Sequence, residues 1–462
     1  MAKPDLAPLL NPRSIAIVGA SADFSRINGR PLRFMLEYGY RGKLYPINPR
    51  YEEIAGLTCY PSIGAVPESP DLALLGLSAA ATPDALEQCG QHGVRAAVVF
   101  SGGFGEAGPE GQALQERLVE TAERYGMALC GPNCLGFVNF PLAAACTFTA
   151  TFDSVDLRPG RIAFISQSGA LGAYIYAMAR ERGLGFSYYI SSGNEAQTDF
   201  ATYLDFLVES AETDVILGYL ETARDGSGLL RGARRALAAG KPVILLKVGR
   251  SPSGARAARS HTGSLAGSDR VYNAAFRQSG VIRAETIEGM LDIAYLATVG
   301  RVPRGPGVAV STVSGGAGVI LADEIERAGL RLTELRPETR QALAELIPSF
   351  GSTANPVDTT AQPLNDPGIL RGCLATVARD PGVDTVIPFH GPLAEYADTL
   401  VEAISSVAAE SESLVLANWL LAPPMARATL EERGVPVFDD PSRAVRALGA
   451  LVRWEERRRV LR

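Results

Sequence analysis

Apolar residues in this chain gather into short runs, each closed by glycine, serine or asparagine and followed by a stretch with helical spacing. Ile15 to Val18 is such a run, and so are Lys43 to Ile47, Leu72 to Leu77, Ala96 to Phe100 and Met127 to Cys130. Runs this short, with little polar alternation, predict strands buried on both faces. Helical spacing lies between them over Pro31 to Tyr38, Thr82 to Gln91 and Gly111 to Tyr125. Strand–helix alternation of this kind predicts an α/β fold, a parallel sheet with helices on both sides.

The pattern restarts twice, each time with a strand, a Gly-rich turn and a helix. The first copy reads SIAIVGAS, Ser14 to Ser21. The second, RIAFISQSGALG from Arg161 to Gly172, follows a junction at Leu157 to Gly160 and leads to strands at Ser187 to Ile190, Val215 to Leu220 and Pro242 to Leu246. The third follows a Pro/Gly linker, Gly300 to Gly307, and reads GVAVSTVSGGAGVILADEIERAG. NPVD at Asn355 to Asp358 and a strand at Asp384 to Pro388 come after it. Three domains are predicted, 1–150, 151–302 and 303–462, in keeping with a length of roughly 150 residues for each.

Composition narrows the class. Hydrophobic residues make up 47% and charged residues 20%, an ordinary globular mix. The net charge of −6 argues against a nucleic-acid surface. The six cysteines form no CxxC pair, so no metal site is expected and a reducing compartment is. The opening MAKPDLAPLLNPRS lacks a secretory apolar core, and no run reaches bilayer length. A cytoplasmic protein is the expectation.

Candidate chemistry sits at the turns. Gly19 lets backbone approach a phosphate closely. The second strand ends in Asn48-Pro49-Arg50, where a nicotinamide-binding domain would carry an acid, and a cation there suits the phosphorylated ribose of NADP or coenzyme A. Ser166 or Ser168 is placed to cap a helix whose positive end suits a phosphoryl group. Glu221 closes a strand, facing the crevice where open α/β sheets bind ligands. Lys247 to Asp269 holds His261 among Ser260, Thr262, Gly263 and Ser264, with Arg250, Arg256 and Arg259 close by, a setting for a phosphate on or near an imidazole. His92 reads as a helix C-cap and His390 as a loop residue just past a strand. Gly315, Gly316 and Gly318 could hold a ligand, with helix-on-strand packing the plainer reading.

SHTGSLAGSD, around His261, resembles the phosphohistidine loop of the NDP-forming acyl-CoA synthetases, the ADP-forming acetyl-CoA synthetase type within the succinyl-CoA synthetase superfamily. SGGFGE, GPNCLG, SQSGAL, GYLET, SGGAG and NPVD extend the resemblance over nearly the whole chain. It implies three Rossmann-like or flavodoxin-like domains: a coenzyme A domain, a domain carrying the active histidine, and a third of the ligase-CoA type. It implies that His261 carries the phosphoryl group and that Glu221 hydrogen-bonds its imidazole. Ser166, Gln167, Ser168 and Gly169 would form half of a phosphate cradle. Gly19, Ala20, Ser21, Arg50, Ser101, Gly102 and Asn133 would contact coenzyme A. Two departures stand out: Arg50 where the family often has lysine, and ETARDG where a glycine more often follows the glutamate soon after.

No stretch reads as an ATP-grasp domain, and no GxxxxGK[ST] loop occurs. The resemblance therefore implies an α-type subunit in a hetero-oligomer, with ATP or ADP and Mg on an ATP-grasp β-type partner. The implied reaction joins a small carboxylic acid to coenzyme A at the expense of ATP, through phosphohistidine and an acyl phosphate. Two other readings compete. A non-catalytic coenzyme A or acyl-CoA-binding regulatory module would bind without phosphorylation. An NADP-dependent oxidoreductase would rest on the first turn and Arg50, leaving the His261 loop unexplained.

Overall fold

The computed structural model describes residues 3–254, 256, 268–360 and 367–461. Two compact units divide it, Met1–Arg283 and Ala284–Arg462.

The first unit holds two sheets. Strands β1 (Ser14–Val18), β2 (Lys43–Ile47), β3 (Leu72–Leu75), β4 (Ala96–Val99) and β5 (Ala128–Cys130) form a parallel sheet in the order β2-β1-β3-β4-β5. Alternate residues face opposite sides, as a pleated strand requires. Ile15, Ile17, Leu72 and Leu74 pack into one core cluster, and Ala16, Ala73 and Leu75 into another. Helices α1 (Arg30–Glu37), α2 (Thr82–Gln91) and α3 (Pro109–Arg124) connect these strands. The helix read over Thr82 to Gln91 is present with those bounds, and His92 is its C-cap.

The second sheet is built from β6 (Gly136–Asn139), β7 (Ala144–Thr147), β8 (Pro159–Ser166), β9 (Phe186–Ser191), β10 (Val215–Leu220), β11 (Val243–Lys247) and β12 (Ile282–Arg283), in the order β12-β11-β10-β8-β9-β6-β7. Five of these are parallel, while the hairpin β6–β7 runs antiparallel along β9. That hairpin precedes residue 150 in the chain, so the expected boundary there separates it from the sheet it joins. Helices α4 (Gly169–Glu181), α5 (Phe200–Glu209), α6 (Gly226–Ala239) and α7 (Asp269–Ser279) accompany the sheet. One core cluster includes residues of both sheets, Leu72 and Ile17 with Ile165 and Ile190, which makes the first 283 residues a single unit.

The second unit carries β13 (Gly307–Thr312), β14 (Arg331–Leu332), β15 (Val357–Asp358), β16 (Thr385–His390), β17 (Leu414–Val415), β18 (Ala417–Trp419) and β19 (Val437–Phe438). Its main path is β14-β13-β16-β18-β19, all parallel. Helix α8 (Ile287–Val299) packs on α10 (Pro441–Val460), as does α9 (Gly315–Arg327). The expected boundary at 302/303 lies beyond α8, which belongs to this unit. His390 differs from its reading as a loop residue. It is the last residue of β16, 1% exposed, edge-on to Trp419.

In all three sheets the first parallel strand sends the chain to one neighbour and later receives another on its opposite side. The C-terminal end of such a strand is the switch point where open α/β sheets leave a crevice. The turns at Gly19, Gln167 to Gly169 and Ser314 to Gly318 stand at those three ends. The α/β class with parallel sheets is thus present as expected.

Candidate active site

Sequence explains why the turn after β8 is tight. Gly172 sits one turn into α4, and a Cβ there would meet the Ser166 Oγ at 2.5 Å. Glycine lets the helix close down on the strand end, bringing its N-terminus to the crevice. Ser168 is the N-cap by position, in extended conformation, yet its side chain makes no cap hydrogen bond. Ser166 is the last residue of β8. It is fully buried, and its hydroxyl donates to the Ser168 carbonyl at 2.6 Å. Its hydroxyl braces the turn and does not line the cleft.

Gln167 links this turn to Glu221. Its Oε1 accepts the Glu221 N–H at 2.6 Å and the Thr222 N–H at 3.0 Å, and its Nε2 donates to the Thr222 carbonyl at 2.7 Å. One side-chain amide thereby satisfies three backbone groups beyond β10. Glu221 is 9% exposed. Beside it, Lys247 closes β11 with its ammonium 4.6 Å above the Tyr272 ring, and burial holds that ammonium below the ordinary lysine range.

A cleft of about 660 Å³ opens here, with Phe100, Glu106 and Asn133 from the first sheet and Gln167, Ser168, Gly169 and Glu221 from the second. The two sides are stitched by side-chain amides. Asn133 Nδ2 donates to Asn194 Oδ1 at 3.2 Å, and Asn194 Nδ2 donates to Gln115 Oε1 at 3.0 Å and to Glu106. Burial raises the Glu106 carboxyl, but hydrogen bonds from Asn194 and the Gly103 N–H outweigh it, leaving the group below the usual range. Arg224, exposed at the rim, donates to the Asn194 carbonyl at 2.8 Å and has no carboxylate partner among the described residues.

Ser101 and Gly102 lie at the end of β4. The Asn133 N–H donates to the Ser101 carbonyl at 2.9 Å, and a Cβ on Gly102 would meet Asn133 and Glu106 oxygens at 3.2 and 3.1 Å. Gly19, Ala20, Ser21 and Arg50 form a separate group at the ends of β1 and β2. Gly19 takes a φ of +83°, and a Cβ would meet Leu77 at 2.9 Å. Asn28 and Asn48 side chains donate to the Gly19 and Ala20 carbonyls at 2.5 and 2.7 Å, fixing the turn. Arg50 is exposed, without an ion-pair partner among the described residues. A bare backbone turn with a cation beside it fits a phosphorylated nucleotide.

His261 lies outside the described residues, as do Arg259, Ser260, Thr262, Gly263 and Ser264. Among the described residues no cluster of three His, Cys, Asp or Glu could hold a metal. No helix among them is long and apolar enough to cross a membrane. The cleft also recruits Glu106 and Arg224, each inside a segment singled out above but not picked as a site residue, and Asn194 and Glu195 from the loop after β9. Gln115, on α3, carried no signal in the sequence.

Three family models match the chain: a CoA binding domain over residues 13–139, a succinyl-CoA ligase like flavodoxin domain over 159–297, and a ligase-CoA domain over 308–390. The α subunit of acetate–CoA ligase (ADP-forming) II from Pyrococcus furiosus is 38% identical over 96% of this chain and 96% of its own. Acetate–CoA ligase (ADP-forming) I of Archaeoglobus fulgidus is 40% identical over 97% of this chain, which spans 63% of that longer relative. A solved dinucleotide-forming acetyl-coenzyme A synthetase 1 from Ca. Korarchaeum cryptofilum, in complex with phosphate and ADP, superposes with a TM-score of 0.90, at 35% identity and 98% coverage of each chain.

Proposed function

The chain belongs to the family of ADP-forming acetate–CoA ligases, as the counterpart of their α subunits, and from that premise we propose that it joins a small carboxylic acid to coenzyme A while ATP becomes ADP and phosphate. The observation that carries this reading is the Gln167 clamp, which ties an uncapped helix N-terminus to the backbone of Glu221 and so sets both at one cleft. Ser168 and Gly169 would offer backbone amides and the positive helix end to a phosphoryl group, while the Gln167 N–H is taken by the Tyr219 carbonyl at 3.3 Å. Glu221 would hold one ring nitrogen of His261 as an N–H donor, leaving the other to attack phosphorus. The same carboxylate would stabilise the positive charge on the ring after transfer. The phosphoryl group would then pass to the acid, giving an acyl phosphate.

Coenzyme A supplies the thiol that takes the acyl group. Gly19, Ala20, Ser21 and Arg50 would hold its phosphates, with Ser101, Gly102 and Asn133 along the way to the cleft. ATP, with Mg, would bind an ATP-grasp partner subunit, and the complex would work in the cytoplasm. All six cysteines are free and buried, in keeping with a reducing compartment.

Mass spectrometry after incubation with an ATP-grasp partner and ATP tests this. An acid-labile phosphate on His261, lost in His261→Ala, is the expected result. Coenzyme A binding with no label under any condition would leave the regulatory reading standing instead.

A further inference from the structure

Glu195 is a buried carboxyl group to which the reading above gives no task. It is 2% exposed and stands in the wall of the cleft shared by Gln167, Ser168 and Glu221. Its backbone takes a φ of +52°, in the left-handed region that favours glycine. The flanking N–H groups hold it there: Asn194 donates to the Pro132 carbonyl at 2.9 Å and Ala196 to the Gly131 carbonyl at 3.1 Å. Non-glycine residues forced into this region cluster where a side chain must be presented in one place.

Only half of the carboxyl is satisfied. Oε1 accepts the Ser192 hydroxyl at 2.8 Å, whereas Oε2 has no hydrogen-bond partner among the described residues. A purely structural carboxyl at this depth would be paired on both oxygens. The groups around it are few. Asp199 at the N-cap of α5, Tyr203 on α5 and Cys130 at the end of β5 face it, with Gln167 and the Phe200 N–H on the hydrogen-bonding side. Glu106, Glu221 and Arg224 line other parts of the cleft. Burial pushes the Glu195 carboxyl up to about 7, with Asp199 adding to the rise and Ser192 and Gln167 opposing it.

Resting on the ligase reading, we propose that Glu195 relays the proton of thioester formation. As the thiol sulfur attacks the acyl carbon of the acyl phosphate, the S–H bond breaks and its proton passes to Glu195 Oε2. The C–S bond forms and the bond from the acyl carbon to the phosphate oxygen breaks. Glu195 returns the proton to the departing oxygen, and phosphate leaves as hydrogen phosphate. An acyl phosphate dianion and a thiol thus become a thioester and a hydrogen phosphate dianion, with the carboxyl ending as it began. A free thiol titrates near ~8.5 and needs a base at neutral pH. A carboxyl that populates both forms near pH 7 can accept and return one proton within a turnover.

The test uses the complex reconstituted with its ATP-grasp partner, with acetyl phosphate and coenzyme A as probes, so that ATP chemistry is bypassed. Glu195→Gln should slow thioester formation by roughly a hundredfold or more and erase the ionisation near pH 7 in kcat/KM for coenzyme A. Glu195→Asp should slow the reaction less and shift that ionisation without erasing it. A readout independent of turnover is infrared titration of the protein alone. A protonated-carboxyl band should fade with a midpoint near 7 in the wild type and be missing from Glu195→Gln. Wild-type rate and pH profile in Glu195→Gln, or survival of the band, overturns the relay. Should Glu195→Gln fail to fold, a Glu195→Asp profile identical to wild type overturns it equally. A wild-type complex that neither labels His261 from ATP nor makes thioester from acetyl phosphate sinks the ligase reading itself, and the relay with it.

Discussion

Gln167 shows how one side chain can hold a site together without touching chemistry. Its amide satisfies two N–H groups and one carbonyl beyond β10. Gln167→Leu strands those groups in a half-buried wall, so stability should drop by about 2–3 kcal/mol in urea titrations. His261 labelling by ATP should slow with it, because Glu221 loses its anchor. Glu221→Gln keeps size and removes charge. Coenzyme A should bind that variant as before, while labelling slows by roughly a hundredfold. Unchanged labelling kinetics would remove Glu221 from the site. His390 gives a pH signature of its own. Burial holds its ring down to about 4, and neither ring nitrogen has a partner among the described residues. Between pH 6.5 and 4 the unfolded chain binds a proton that the folded chain refuses, so stability falls as pH drops through that window. The loss is on the order of 3 kcal/mol, and His390→Phe should flatten it in urea unfolding compared at pH 7 and 4.5.

At the scale of elements, much was legible. Short apolar runs gave the longer parallel strands to within a residue or two, because strands buried on both faces leave a continuous signal, whereas two- and three-residue strands such as β12, β14, β17, β18 and β19 left none. The placement of Glu221, Ser168 and Gly169 around one cleft was readable because strand ends and helix starts meet at the crevice of such sheets. Ser166 was not, since nothing local tells which of two serines turns inward beneath Gly172. Glu195 was not chosen, because a left-handed backbone leaves no periodic trace. The hairpin β6–β7 escaped because its edge pairing with β9 is a tertiary choice. Gly172→Val tests the packing of α4. Its Cβ has no room beside the Ser166 Oγ at 2.5 Å, so the helix must lift. A destabilisation of about 1–3 kcal/mol in thermal melts is expected, together with weaker labelling of His261.

At the scale of the molecule, three sheets repeat one plan, and each puts a Gly-rich turn at its switch point. Repetition was visible in the sequence because the turn chemistry recurs. The grouping of the first two sheets was not, since it rests on a shared core assembled from residues far apart in the chain, such as Ile17 and Ile190. The α-type reading carries a prediction here. Purified alone, the chain should bind coenzyme A by calorimetry yet show no net ligase turnover until an ATP-grasp partner is added.

The hairpin that crosses from the first stretch of chain to the second sheet bears on how this protein can be dissected. A fragment trimmed to begin at 151 would discard β6 and β7 and leave β9, FSYYIS, as a bare apolar border. Its unpaired amides would invite the same border of another molecule, so such a fragment should self-associate in light scattering. The piece from 1 to 283, which keeps the hairpin in place, should remain monodisperse.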